Sequence, residues 1–251
     1  MSILKEMQTM HDKAVFSGVK WECLREEQRA SVIRSSMFLK EKFLASGVFD
    51  NLKARLVAGG NMQNRNVYAL EETSSPTVSL SSLYLVAALA AKEKRIVSTK
   101  DVGSAYFNAK MEKVFFMTLK PTLARIMVEV DAKYSSFLRS DGSLVVKLDK
   151  ALYGCIESSK LWYDDLSNFL KSIGFVENAK DKCVFNISRK GSQLTVCIYV
   201  DDLLCTSVSE ENMQWIDEAL REKYKKCPQM RERCIATLGK AFILDGKGNA
   251  K

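Results

Sequence analysis

The chain has 251 residues and a mass of 28.3 kDa, room for one large domain or two small ones around a sizeable core. Hydrophobic residues make up 47% and charged residues 27%, a globular composition, and 38 Lys and Arg against 30 Asp and Glu leave +8, which favours polyanionic partners, nucleic acid first. One histidine, His11, argues against a His-centred triad or a His-rich metal site, and seven cysteines without a CxxC pair argue against a zinc ribbon or a disulfide framework.

The first segment, residues 3 to about 16, reads as an amphipathic helix, with Ile3, Leu4, Met7 and Met10 at helical spacing. The N-terminus, Met1 to His11, has charges and no apolar core, so no signal peptide is expected there, and no apolar run approaches membrane-spanning length. Reduced, intracellular thiols and no membrane partner are expected. Residues 53–58 read as a strand stopped by Gly59-Gly60, and a polar loop follows to Pro76. Leu80, Leu83, Val86, Ala87 and Ala90 form a helical stripe that Thr77 or Ser79 can cap.

A short strand, 96–102, carries Asp101 near its end. Residues 114–119 and 144–148 are further strands, with turn chemistry at Ser140-Asp141-Gly142 between them. Ser158 or Ser159 can open a helix bearing Leu161, Trp162, Leu166, Phe169, Leu170 and Ile173, closed by Gly174. The run 194–200 is strongly β-prone, Asp201-Asp202 interrupts it, and 203–208 resumes it, which predicts a hairpin with two carboxylates at its tip. Ser209 then precedes a helix with Met213, Ile216, Leu220 and Tyr224 on one face. Helices and strands mix without regular βαβ alternation, so the expected class is α+β.

Tyr199-Val200-Asp201-Asp202 is the most informative stretch. Adjacent carboxylates between apolar strand segments repel one another, and Asp disfavours strands, so such a pair suits a cation that neutralises it. Magnesium takes oxygen ligands of this kind together with substrate phosphates. An exposed turn with two solvated aspartates is the plain alternative, as a turn or cap is for Asp101 alone. Three carboxylates on neighbouring strands, however, are the geometry of a two-metal phosphoryl-transfer site.

Asp101-Val102-Gly103-Ser104-Ala105-Tyr106-Phe107-Asn108, Leu152-Tyr153-Gly154, Leu161-Trp162-Tyr163 and Tyr199-Val200-Asp201-Asp202 occur in the order and approximate spacing of a reverse transcriptase. More narrowly, the chain resembles the copia-type LTR retrotransposons. Lys53-Ala54-Arg55-Leu56-Val57-Ala58 looks like that family's KARLVA strand, Glu72-Thr73-Ser74-Ser75-Pro76-Thr77-Val78 like its ETFSPVV segment, and Leu238-Gly239 like its YLG segment. The likeness runs from about residue 5 to the C-terminus.

This resemblance implies a right-hand polymerase: an N-terminal helix and fingers in 1–76, palm in 77–109, fingers again in 110–157, and palm in 158–251 with an antiparallel sheet and the start of a primer grip. On this resemblance the thumb would be absent or incomplete. Asp101, Asp201 and Asp202 would be the catalytic and metal-binding aspartates, with the Val102 carbonyl assisting and two Mg²⁺ or Mn²⁺ ions bound. Lys53, Arg55, Ala105, Tyr106, Tyr153 and Gly154 would meet the incoming dNTP, Tyr106 excluding a 2′-hydroxyl, and Leu238 and Gly239 would belong to the primer grip. The implied activity is RNA-directed DNA polymerisation on an RNA or DNA template-primer, in the cytoplasm, in a virus-like particle, or in the nucleus. The RNase H and integrase modules of such an element are not expected within these residues.

Without the family, Lys53 and Arg55 read as solvated charges, Tyr106 as a core aromatic and Tyr153-Gly154 as a turn. The sequence also departs from the family's pattern. Gly59 stands where a basic residue is usual, Cys155-Ile156-Glu157-Ser158-Ser159 replaces LKQAP, and 122–143 replaces a PEGF-type loop. From Leu220 to Lys251, nine Lys and Arg against three acids suit a phosphate backbone. A decayed or domesticated fragment that binds nucleic acid without catalysis is the competing expectation. An unrelated metal-dependent nuclease is disfavoured by the Lys53, Arg55 and Tyr106 context.

Overall fold

Alternation of apolar residues decides most elements of the computed structural model, which describes residues 2–44 and 46–224 and the backbone of 231–235. In chain order these are α1 (Ser2–Asp12), β1 (Phe16–Val19), α2 (Glu26–Ala30), β2 (Ile33–Phe43), β3 (Phe49–Ala58), α3 (Leu80–Lys92), β4 (Ile96–Asp101), β5 (Phe116–Leu119) and α4 (Pro121–Val130). Then follow β6 (Leu144–Leu148), α5 (Ser158–Ser172), β7 (Val176–Glu177), β8 (Val184–Arg189), β9 (Ser192–Tyr199), β10 (Asp202–Ser207), α6 (Glu210–Lys223) and β11 (Arg231–Ile235). The class is α+β. None of the described helices is long and apolar enough to cross a membrane.

The chain divides into two units, the first made of residues up to Ser74 with Tyr106–Trp162, the second of Ser75–Ala105 with the residues from Tyr163 on. In the first unit a five-stranded sheet runs β1-β6-β5-β2-β3, antiparallel except where β2 meets β5. β6, Leu-Val-Val-Lys-Leu, buries one face fully and the other in part: Leu144, Val146 and Leu148 join α1 and α4 through Met7, Met10, Leu123 and Met127, while on the other face Val145 meets Leu24 and Phe116 and Lys147 pairs with Asp149. Each such apolar side chain contributes about 1.5–3 kcal/mol on burial.

In the second unit a six-stranded antiparallel sheet runs β11-β4-β10-β9-β8-β7. α3 opens where Ser79 Oγ accepts the Ser82 N–H at 3.2 Å, and α6 where Ser209 Oγ accepts that of Asn212 at 3.2 Å. Short side-chain acceptors at those positions satisfy donors that the first helical turn leaves bare. On α6, Met213, Ile216 and Leu220 are buried, as is Tyr224 at its C-terminal cap.

Several expectations need correction. The N-terminal helix ends at Asp12, and Phe16 already belongs to β1. Strand 53–58 is the buried half of β3, which begins at Phe49 and pairs with β2 over its whole length. Residues 60–76, expected as a polar loop after Gly60, hold three 3-10 turns, Gly60–Met62, Arg65–Val67 and Leu70–Glu72. The stretch 122–143 is largely helical, because Pro121 sits in the first turn of α4 and Leu123, Ala124 and Met127 face the core. The β9–β10 turn is centred on Val200 and Asp201, and Asp202 already belongs to β10. Leu238, Gly239 and most of the basic C-terminal cluster lie outside the described residues.

Candidate active site

Strand pairing sets Asp101 and Asp202, both in the second unit, side by side, with Asp201 next to Asp202 in the chain. β10 runs antiparallel to β4 with Asp202 directly opposite Asp101, and Asp202 is also opposite Tyr199 across the β9–β10 hairpin. That hairpin has a two-residue turn, and Val200 takes φ +57° in it. Primed two-residue turns need positive φ and favour Gly or Asn, so a β-branched residue there is strained by about 1–3 kcal/mol. Ser104, three residues after Asp101, is likewise left-handed at φ +54°. The Val102 N–H donates to the Asp201 carbonyl at 3.0 Å, so the two carboxylate-bearing loops are joined through their backbones.

The underside of β4 is fixed independently. Lys100 is buried beside Asp101 on the strand, and its Nζ lies 3.2 Å from the Asp217 carboxylate on α6. Asp217 also receives Arg221 Nε at 2.7 Å. An apolar cavity of 470 Å³ between α3 and the sheet reaches Tyr199 and Asp202.

Like charges act on Asp202 from Asp201 and Asp101. Partial burial first, then the charges of Asp201 and Asp101, raise the Asp202 carboxyl above its ordinary value, although the residue keeps contact with solvent. Carboxylate oxygens are hard donors that suit Mg²⁺, and a divalent ion relieves this repulsion, so donor chemistry and charge fit such an ion. Among the described residues no three Asp, Glu, His or Cys side chains stand gathered as a ready-made metal group. Register and mutual repulsion link the aspartates; a closed cage does not.

The expected nucleotide residues of the first unit form a second group. Lys53 and Arg55 alternate on one face of β3, opposite Lys40 and Phe38 of β2. The Arg55 guanidinium carbon lies 4.8 Å from the centre of the Tyr153 ring, which also meets the Tyr106 ring at 4.8 Å and the Phe107 ring edge-on at 5.9 Å. Tyr106 is half-buried, whereas the next residue, Phe107, is the buried core aromatic. Gly154 has φ +92°, and a Cβ there would lie 2.2 Å from the Ala58 carbonyl oxygen. Only glycine fits. Ala105, in the second unit, is buried.

Sequence reasoning missed β2, Gln63, Tyr68 and the Lys100–Asp217 pair. Their signal is weak: β2 changes from buried alternation at Ile33 and Ser35 to an exposed ribbon, and a polar loop does not announce which Gln or Tyr turns inward.

Residues 21–232 match the family described as reverse transcriptase (RNA-dependent DNA polymerase). The chain is similar to the retrovirus-related Pol polyprotein from transposon RE1 of Arabidopsis thaliana, 30% identical over 178 residues, covering 70% of this chain and 11% of that protein. The RE2 polyprotein of the same plant is 27% identical over 195 residues, 77% of this chain and 12% of the relative. The transposon Ty1-DR4 Gag-Pol polyprotein of Saccharomyces cerevisiae is 28% identical over 173 residues, 68% of this chain and 10% of the relative. The chain thus spans about a tenth of the length of these relatives.

Proposed function

The chain belongs to the reverse transcriptase family, in its copia-type LTR-retrotransposon branch, and from that premise we propose that it is the polymerase core of such an element, extending a DNA primer on an RNA or DNA template. The observation that carries the reading is the direct opposition of Asp101 and Asp202 in register, with Asp201 bonded through its carbonyl to Val102. The first unit corresponds to the fingers and the second to the palm.

In this reading Asp101, Asp201 and Asp202, with the Val102 carbonyl, hold two divalent ions, which supply charge neutralisation for a 3′-hydroxyl and a triphosphate. The chain's own residues do the rest. The left-handed Val200 and Ser104 set the direction of the two carboxylate loops, and the Lys100–Asp217 pair holds β4 against α6. Arg55 and Lys53 are cationic donors for phosphate oxygens. Tyr106, half-buried on Tyr153, presents the face of a ring to the nucleotide sugar and excludes a 2′-hydroxyl by shape.

One observation favours a second reading, a relic that binds nucleic acid without catalysis: the three carboxylates are not gathered as a metal group. Primer extension on poly(rA)/oligo(dT) with dTTP and Mg²⁺ or Mn²⁺, beside a mobility shift on the same duplex, separates the two. Extension with binding supports the polymerase; binding with no extension supports the relic.

A further inference from the structure

Glu157 departs from the family's pattern, and its surroundings are unusual. It is the N-cap of α5, its carbonyl accepting the Leu161 N–H at 2.9 Å, a place where the positive end of the helix favours a carboxylate. The residue is only 4% exposed. Its Oε2 accepts from the Tyr68 hydroxyl at 2.7 Å and from Gln63 Nε2 at 3.2 Å, while its Oε1 is buried and has no hydrogen-bond partner.

The partners are themselves held. Gln63, also buried, turns its Oε1 to the Ile156 N–H at 2.8 Å. Tyr68 stacks on Phe115 with the rings 10° from parallel and carries Lys113 Nζ 4.0 Å above its ring. Polar side chains therefore fasten segment 60–68 to segment 153–157, both in the first unit. The same two stretches meet through their backbones: the Ala58 N–H donates to the Tyr153 carbonyl at 2.7 Å, and a Cβ on Gly60 would lie 1.9 Å from the Gly154 carbonyl oxygen. Burial, then the charge of Glu157, push the Cys155 thiol up to about 12, so the carboxylate's field acts inside this junction.

A buried carboxylate with one oxygen unsatisfied costs stability, so packing alone gives no reason for a charged residue at this position. We propose that Glu157 is a positioning residue for Tyr153: through Gln63 and Tyr68 it locks the Ala58–Gly60 turn onto Tyr153-Gly154 and so holds the Tyr153 ring between Arg55 and Tyr106. The role rests on the reading that Tyr153 and Arg55 meet the incoming nucleotide.

The test compares Glu157→Ala, Glu157→Gln and a core reference in the same unit, Leu123→Ala, by steady-state primer extension and amide hydrogen exchange. Glu157→Ala is expected to raise the dNTP KM about tenfold with kcat within about threefold, and to speed exchange at Ile156 and Ala58. Glu157→Gln restores both, because its carbonyl takes the place of Oε2 and its amide that of the orphaned oxygen. Leu123→Ala lowers the melting temperature without that KM shift. An equal KM shift in Leu123→Ala, a Gln variant as impaired as Ala, or unchanged exchange and KM in Glu157→Ala with an active parent overturns the positioning role. A parent chain that extends no primer brings down the nucleotide reading, and this role with it.

Discussion

Removing one charge from the aspartate cluster gives a result opposite to the usual effect of a substitution. Asp202 lies directly opposite Asp101, and residues so paired have Cβ atoms about 5 Å apart. Two unit charges at that separation repel by about 0.8 kcal/mol in water. Asp201 adds to this, and salt and solvent contact reduce it. Asp202→Asn, which keeps the shape, is therefore expected to stabilise the protein by about 0.5 kcal/mol without divalent ions, raising the melting temperature by about 1–2 °C for a chain of this size. The sign follows from linkage. The folded-state carboxyl is raised, so its ionisation weakens the folded state as pH rises through that range. The gain is complete at neutral pH, and it shrinks on acidification as the parent's own Asp202 takes up a proton. Mg²⁺ reverses the order, stabilising the parent by RT ln(1 + [Mg²⁺]/Kd) and the variant much less. Thermal unfolding followed by circular dichroism, at pH 7.5 and pH 5 with EDTA or Mg²⁺, reads all of this. A variant less stable than the parent in EDTA at pH 7.5, or one that gains as much from Mg²⁺, refutes the reasoning.

Tyr106→Val is expected to admit ribonucleotides while dNTP use stays constant or falls, checked by the ratio of rNTP to dNTP incorporation; an unchanged ratio with a lower melting temperature makes Tyr106 a packing residue. Gly154→Ala forces a Cβ to within 2.2 Å of the Ala58 carbonyl at φ +92°, so a loss of more than about 2 kcal/mol in chemical denaturation is expected. Burial, the first cause in each, holds the thiols of Cys155, Cys183 and Cys197 up at about 12, whereas Cys23 is exposed. Iodoacetamide at pH 8 followed by peptide mass spectrometry should label Cys23 in the folded protein and those three only after unfolding.

Much of the candidate site was legible because its chemistry is compressed into short motifs. Tyr199-Val200-Asp201-Asp202 shows both a hairpin and a charge anomaly, and Asp101 sits at the end of a short strand. Their pairing across 100 intervening positions is a matter of tertiary register and needed the structure. α3 and α6 were legible because a serine cap and a helical stripe agree, whereas in β2 Phe38, Leu39 and Lys40 stand exposed and leave no clean period. Glu157 marks the limit of sequence reading. Beside Ser158 and Ser159 it looks like a solvated charge, and only the fold shows it inside, bonded to Gln63 and Tyr68. Long-range polar contacts of that kind carry no local pattern.

The central claim is that Asp101, Asp201 and Asp202 act as one metal-dependent catalytic group. Its most direct measurement is primer extension on poly(rA)/oligo(dT) by the parent and by Asp101→Asn, Asp201→Asn and Asp202→Asn, beside each protein's melting curve and affinity for the same duplex. Each Asn variant is expected to lose on the order of a hundredfold or more in rate, with folding and affinity retained, because it removes a ligand's charge with almost no change in shape. Extension near the parent's rate by any one of the three, in a folded and template-bound protein, would contradict the claim and place the metal elsewhere.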